Sequence, residues 1–180
     1  LADGCSNAII DGQTGPITIL TEGYKNALKS GHEGSCTACL AIKTTANSIA
    51  VANLGDSGIA LYRGDNLQWQ SSQQDYLFNY PYQLSSDKDA TPADADRHLL
   101  TKLKSGDILI LATDGLWDNL YHKEIMKYLD HDLDVEDIAT NLAVSAFHAS
   151  NDEKRWGPFS QASVENLYSS SPYAKEEDFT

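Results

Sequence analysis

Two stretches of this chain carry acid where an apolar strand should end. In VANLGDSG, residues 51–58, Asp56 follows Gly55. In GDILILATDGLWDNL, residues 106–120, an apolar run from Ile108 to Ala112 leads into Asp114 and Gly115, and a second carboxylate follows at Asp118. Carboxylates at strand ends, beside glycines that let backbone or ligand come close, are the donors that hard divalent cations need. Asp114 and Asp118 stand four positions apart, so a turn of helix after Gly115 would let both face one ion. Gly-Asp and Asp-Gly are also ordinary turn dipeptides. The spacing alone therefore leaves two readings open, a metal-binding edge and a pair of solvated turns.

Other chemistries find less support. Cys36 and Cys39 form C-T-A-C, but they open a strand-like run instead of a helix, and Cys5 with five scattered histidines does not complete a zinc set. The three cysteines read as small buried thiols. His32, His98, His122, His131 and His148 lack metal-ligand spacing, and only His122, just after the acidic cluster, is placed to support it. No Walker-type glycine loop or nucleophile-elbow serine is present. Arg63-Gly64-Asp65 reads as hairpin chemistry, and Trp117 and Phe78 as packing residues.

The elements that must position the acids follow from periodicity. Leu1, Cys5, Ala8 and Ile9 share one helical face; Ile17, Leu20, Tyr24 and Leu28 share another, in a segment opened by Pro16 and closed by Gly31. From Cys36 the period changes to two, and CTACLAIK, SIAVANLG, GIALYRG and LQWQSS read as an antiparallel meander. Residues 85–97 read as a loop. DILILAT is a strand, HKEIMKYLD and DVEDIATNLAVSAFHAS are helices, and the second has Asp134 as its N-cap with a stripe of Val135, Ile138, Leu142 and Phe147. Residues 150–180 are polar and interrupted by two prolines.

With 180 residues, 41% of them hydrophobic, the chain is expected to form a single domain over 1–180. A net charge of −13 and a pI near 4.5 oppose binding to nucleic acid or to an anionic membrane surface. No run is long and apolar enough to insert into a membrane, and no targeting segment is readable.

Several motifs occur together in one order: GSCTACL, VANLGDSGIALYRG, FNYPYQL, GDILILATDGLWDNL and the terminal AKEEDFT. In this the chain resembles the metal-dependent Ser/Thr protein phosphatases of the 2C family, over about residues 34–180. FNYPYQL and GPFSQAS resemble most the branch that includes mitochondrial and plastid enzymes. The resemblance implies an α+β fold, an αββα sandwich of two antiparallel sheets flanked by helix pairs. It also implies a two-metal Mn or Mg centre whose activated water hydrolyses phosphoserine and phosphothreonine in a phosphorylated protein substrate. By position Asp114 matches a ligand of the catalytic centre, and Asp56 and Asp118 match carboxylates of a third, weaker metal site. Glu177, followed by Asp178, stands where the family has its last metal-binding aspartate, and its extra methylene displaces the oxygens by about a bond length.

The family's N-terminal acidic motif, its Asp-Gly-x-Gly-Gly motif and a phosphate-binding arginine are missing. LADG at 1–4 belongs to the first helix and does not stand in for them. The expectation is therefore a partial domain, lacking N-terminal strands and the final strand, which by itself turns over little. The alternative is a catalytically degenerate phosphatase fold that binds or regulates. The resemblance further implies a monomer in mitochondria, with plastid or cytoplasm as alternatives.

Overall fold

The computed structural model describes residues 1–31, 33–87 and 90–169. These form two compact units, which divide between Thr113 and Asp114.

The first unit opens with helices α1 (Ala2–Ile10) and α2 (Pro16–Lys29). Pro16 starts α2, where its missing N–H costs nothing, and Gly31 follows the helix with a φ of 70° that suits glycine. The two helices touch through Gly4 and Gly23: a Cβ on Gly4 would lie 2.7 Å from Asn26 Cβ and 2.8 Å from Gly23 Cα. That approach sets the buried face of α1, so Gly4 and Ala8 are inside while Ile9, expected on the apolar stripe, is half exposed.

Strands follow as β1 (Ser35–Cys36), β2 (Ala38–Thr45), β3 (Ser48–Leu54), β4 (Gly58–Arg63) and β5 (Asn66–Gln70). After the short strands β6 (Asp75–Leu77), β7 (Tyr80–Pro81) and β8 (Leu84–Ser85) come β9 (Asp96–Thr101) and β10 (Asp107–Ala112). Among the described residues the strand pairs are antiparallel, in two three-stranded sheets ordered β2-β3-β9 and β10-β4-β5 and two small ribbons, β1-β8 and β6-β7. The expected single meander is thus two hairpins in separate sheets. The chain changes sheet at Gly55-Asp56-Ser57, where Gly55 takes a φ of 90° that a side chain would oppose.

The period of two sorts residues between two cores. Ala38, Ala52 and Leu54 pack with Leu20 and Tyr24 of α2, with Leu40 beside them. Their neighbours Val51, Cys39, Ala41 and Ile49 pack on the other side with Ile59, Trp69 and Leu109 of the second sheet and Leu100 of β9. Helix pair, sheet and sheet thus follow one another in this unit. Tyr24 Oη donates to the Ser85 carbonyl at 2.7 Å and ties α2 to the β1-β8 ribbon.

Three further expectations for this unit are revised. Residues 85–97 contain more than loop: a 3₁₀ turn at Pro92–Asp94 precedes β9, which takes in polar Asp96 and Arg97 because it lies at a sheet edge. Cys36 is exposed on its two-residue strand, and Cys5 and Cys39 are half-buried, so none of the thiols is fully buried, although Cys39 packs against the inter-sheet core. Phe78 is 38% exposed, more than expected of a packing residue.

In the second unit α3 (Asp114–Trp117) and α4 (His122–Ile125) are single turns, α4 continuing as 3₁₀ through Met126–Tyr128. Helix α5 (Val135–Ser150) has Asp134 at its N-cap, as its sequence predicts. Its buried stripe is Ile138, Leu142 and Ala146; Val135 and Phe147 are exposed, because positions i, i+4 and i+8 face inward and the ends of the expected stripe rotate away. The polar segment after residue 150 includes a helix, α6 (Pro158–Ser169). Arg155 closes the unit by pairing with Glu124 at 2.5 Å and donating to the Asn119 carbonyl at 3.1 Å.

Candidate functional site

Asp114 is the first residue of α3, and the turn of helix that its pairing with Asp118 requires is present. The Asp118 N–H donates to the Asp114 carbonyl at 2.8 Å. Leu116 and Trp117 between them are buried and anchor the turn, so Asp114 stays exposed and Asp118 half-buried on the opposite side. Asn119 Nδ2 caps the turn on the Gly115 carbonyl at 3.0 Å. The Phe159 N–H at the start of α6 donates to the Asp118 carbonyl at 3.1 Å, so the GPFSQAS segment braces the acidic turn.

Asp56 belongs to the first unit, in the turn where the chain changes sheet. That turn is held from three sides. The Gly55 carbonyl accepts from Gln74 N–H at 3.1 Å and from Asn53 Nδ2 at 3.3 Å, and Gly55 N–H donates to Gln74 Oε1 at 3.3 Å. Ser57 and Thr37 share a hydroxyl hydrogen bond of 2.7 Å. A buried Asn53 and a distant Gln74 thus set where Asp56 sits. Asp75, next to Gln74, has its carboxyl pushed up by partial burial and then by the negative charge of Asp56, so the two acids repel at close range.

Asn53, Gln74 and Asp75 escape a sequence reading. A polar residue inside the apolar run of β3 is the one available signal for Asn53; Gln74 and Asp75 sit in an unremarkable polar stretch. His122 opens α4 half-buried, with its ring 6.3 Å from Trp117, and burial pushes its pKa down. His98 stacks on Trp69 at 5.0 Å and serves packing between the sheets. Glu177 and Asp178, and His32, lie outside the described residues.

The donor set suits a hard divalent cation: Asp114 and Asp118 offer carboxylate oxygens from one turn of helix. Among the described residues no three His, Cys, Asp or Glu side chains gather into one group. Nor, among them, is any helix long and apolar enough to cross a membrane.

The family model described as "Protein phosphatase 2C" matches residues 4–152. The chain is 32% identical over 157 residues to "Probable protein phosphatase 2C 80" of Arabidopsis thaliana, a match covering 85% of this chain and 37% of the relative. Its fold is similar to that of the photosystem II phosphatase PBCP, with a TM-score of 0.84 and 25% identity, over 91% of this chain and 64% of that one. It is also similar to the catalytic domain of the serine/threonine protein phosphatase PstP, solved in complex with two manganese ions, at a TM-score of 0.63 and 17% identity, over 82% of this chain and 74% of that one. The chain spans roughly a third to three fifths of the length of the curated relatives it matches.

Proposed function

Because the chain belongs to the protein phosphatase 2C family, we propose that the protein hydrolyses phosphoserine and phosphothreonine in phosphorylated proteins, and that Asp114 is a ligand of its divalent-metal centre. The observation that carries this reading is the α3 turn. It follows directly on an apolar strand and sets Asp114 and Asp118 one helical turn apart.

The electrostatics favour this assignment. A chain of net charge −13 repels a phosphate dianion at long range, and bound divalent cations would reverse the sign locally. Mg or Mn, when bound, supplies the Lewis acidity that makes water a nucleophile and offsets charge on the phosphoryl oxygens. The protein's part is to hold the carboxylates still. Leu116 and Trp117 do so by burial, and Phe159 N–H by its bond to the Asp118 carbonyl. Asp56 and Asp118 for the weaker site, and Glu177 and Asp178, are proposed on the resemblance alone.

A single, partial phosphatase 2C-like domain over 1–180 is proposed; what supports it is the family match over residues 4–152, which runs through both compact units. A monomer is proposed, and its proposed setting is the mitochondrion, with plastid or cytoplasm as alternatives; the FNYPYQL and GPFSQAS resemblance supports the compartment. The test is turnover of a phosphothreonine peptide by the full-length protein. Mn or Mg should be required, chelation should abolish activity, and Asp114→Asn should reduce kcat by about a hundredfold or more. Metal-independent turnover, or an Asp114→Asn variant with unchanged kcat, would overturn the assignment, and no turnover at all would favour a phosphatase fold that only binds.

A further inference from the structure

The β6-β7 ribbon holds an unusual surface. In five consecutive residues, Tyr76, Leu77, Phe78 and Tyr80 are all exposed, Leu77 at 74% and Tyr80 at 60%. Asn79 between them takes a φ of 56°, in the left-handed region that suits a tight turn. Exposed apolar residues scattered singly need no explanation, but a contiguous group on one short hairpin marks an interaction site.

Beside the hairpin lies a cavity of about 540 Å³. Tyr76 and Tyr80 line it, and so do Glu33, Asp87, Gln83 and Ser85; among the described residues no lysine or arginine does. The β1-β8 ribbon explains the acids. Ser35 pairs with Ser85, and the Ser86 N–H donates to the Gly34 carbonyl at 3.4 Å, so the register brings Glu33 and Asp87 opposite each other two positions further on. Tyr76 is supported from behind by Tyr82, stacked at 4.1 Å. Aromatic faces next to two carboxylates form a receptor for a cation, and arginine, flat and weakly hydrated, suits it better than lysine.

We propose that the β6-β7 hairpin and its cavity dock a segment of a partner protein in which an arginine is flanked by aliphatic side chains. The arginine enters between the tyrosines and the Glu33 and Asp87 carboxylates, and the aliphatic neighbours cover Leu77 and Phe78. Charge complementarity selects this occupant: among the described residues the charged groups lining the cavity are both acids, so an acidic segment would be repelled there. The hairpin is rooted at the Gly55-Asp56 turn through Gln74 and through Tyr82, whose N–H donates to the Gln74 carbonyl at 2.9 Å. Docking is read as binding, not turnover, so its outcome is separate from that of the hydrolase reading.

Fluorescence anisotropy with a labelled short peptide of alternating arginine and leucine tests the proposal on the full chain. The Glu33→Gln/Asp87→Asn double variant, altered at two solvent-facing carboxylates, should bind about tenfold more weakly, and Tyr80→Ala should also lose affinity. A Glu136→Gln/Asp137→Asn variant, which removes the same charge from exposed positions on α5, should bind as the wild type does. A peptide with glutamate in place of arginine should not bind. Equal losses in the two double variants would show attraction to net charge alone and overturn the site, as would failure of the arginine peptide to bind wild type. Should Tyr80→Ala fail to fold, the carboxylate variants decide the matter.

Discussion

Gly55 and Gln74, nineteen positions apart, are joined by a two-way clasp: Gln74 N–H donates to the Gly55 carbonyl at 3.1 Å while Gly55 N–H donates to Gln74 Oε1 at 3.3 Å. This clasp connects the turn that carries Asp56 to the root of the exposed β6-β7 hairpin. It also leaves no room for a side chain. A Cβ on Gly55 would lie 2.5 Å from both the Tyr82 carbonyl oxygen and Thr37 Cγ2, at a φ that already opposes one.

Gly55→Ala should therefore destabilise the fold by about 2–4 kcal/mol, through strain and overpacking together. Urea denaturation measures it. A loss within about 0.5 kcal/mol, the range of surface substitutions, would mean that the clasp yields easily.

Metal affinity should follow α3. Asp114→Asn is expected to weaken Mn binding to the full-length protein at least about tenfold in calorimetry, since a neutral amide replaces an anionic ligand. Glu136→Gln, on the exposed side of α5, should leave it unchanged. If both variants bind Mn as the wild type does, the site lies elsewhere.

Acid should loosen the β4-β10 pair. Asp107 accepts from Arg63 Nε at 2.6 Å and from a second guanidinium nitrogen at 2.7 Å, and from Lys104 N–H at 2.9 Å. The Arg63 hydrogen bonds, first, hold its carboxyl below the usual carboxylate range against the opposing effect of burial. A lowered folded pKa contributes stability that is complete above the unfolded value, about 3.9, and is lost as pH falls through the folded one. Below about pH 4 the wild type should thus lose stability faster than Asp107→Asn, which lacks this proton linkage. At neutral pH the variant should be weaker by about 1–2 kcal/mol, a modest figure because Arg63 is a third exposed and solvent screens the pair. Melting temperatures of the two proteins across pH 2–7 carry the comparison.

Helix α1 should depend on glycine at its crossing with α2. Gly4→Val places methyl groups against Asn26 Cβ and the Gly23 backbone and should cost about 1–3 kcal/mol. Hydrogen exchange should report the change as faster exchange in α1, with the β2-β3 hairpin comparatively protected. Uniform acceleration across both would contradict the local picture.

Much of the architecture was legible. Pro16 and Gly31 bracket α2 as they should, DILILA is a strand, Asp134 caps α5, and Asp114 and Asp118 share a turn of helix. The misreadings share a cause. Ile9, Val135 and Phe147 satisfy a helical period yet face solvent, because periodicity states which residues share a face and not how far a neighbouring element covers it. Helix α6 was hidden by its polar composition and modest amphipathicity.

By itself the sequence determined the local periods, the turn residues and the chemistry on offer: hard-oxygen donors after apolar strands, on a chain of net charge −13. Only the tertiary structure decided that Gly55 is where the chain leaves one sheet for another, and that Gln74 and Asn53 hold the turn bearing Asp56. It likewise set Glu33 opposite Asp87 beside the exposed tyrosines. Local pattern records what each residue prefers over a few neighbours, whereas these positions are set by hydrogen bonds and strand registers that close only when distant segments pack, and no period in the chain encodes them.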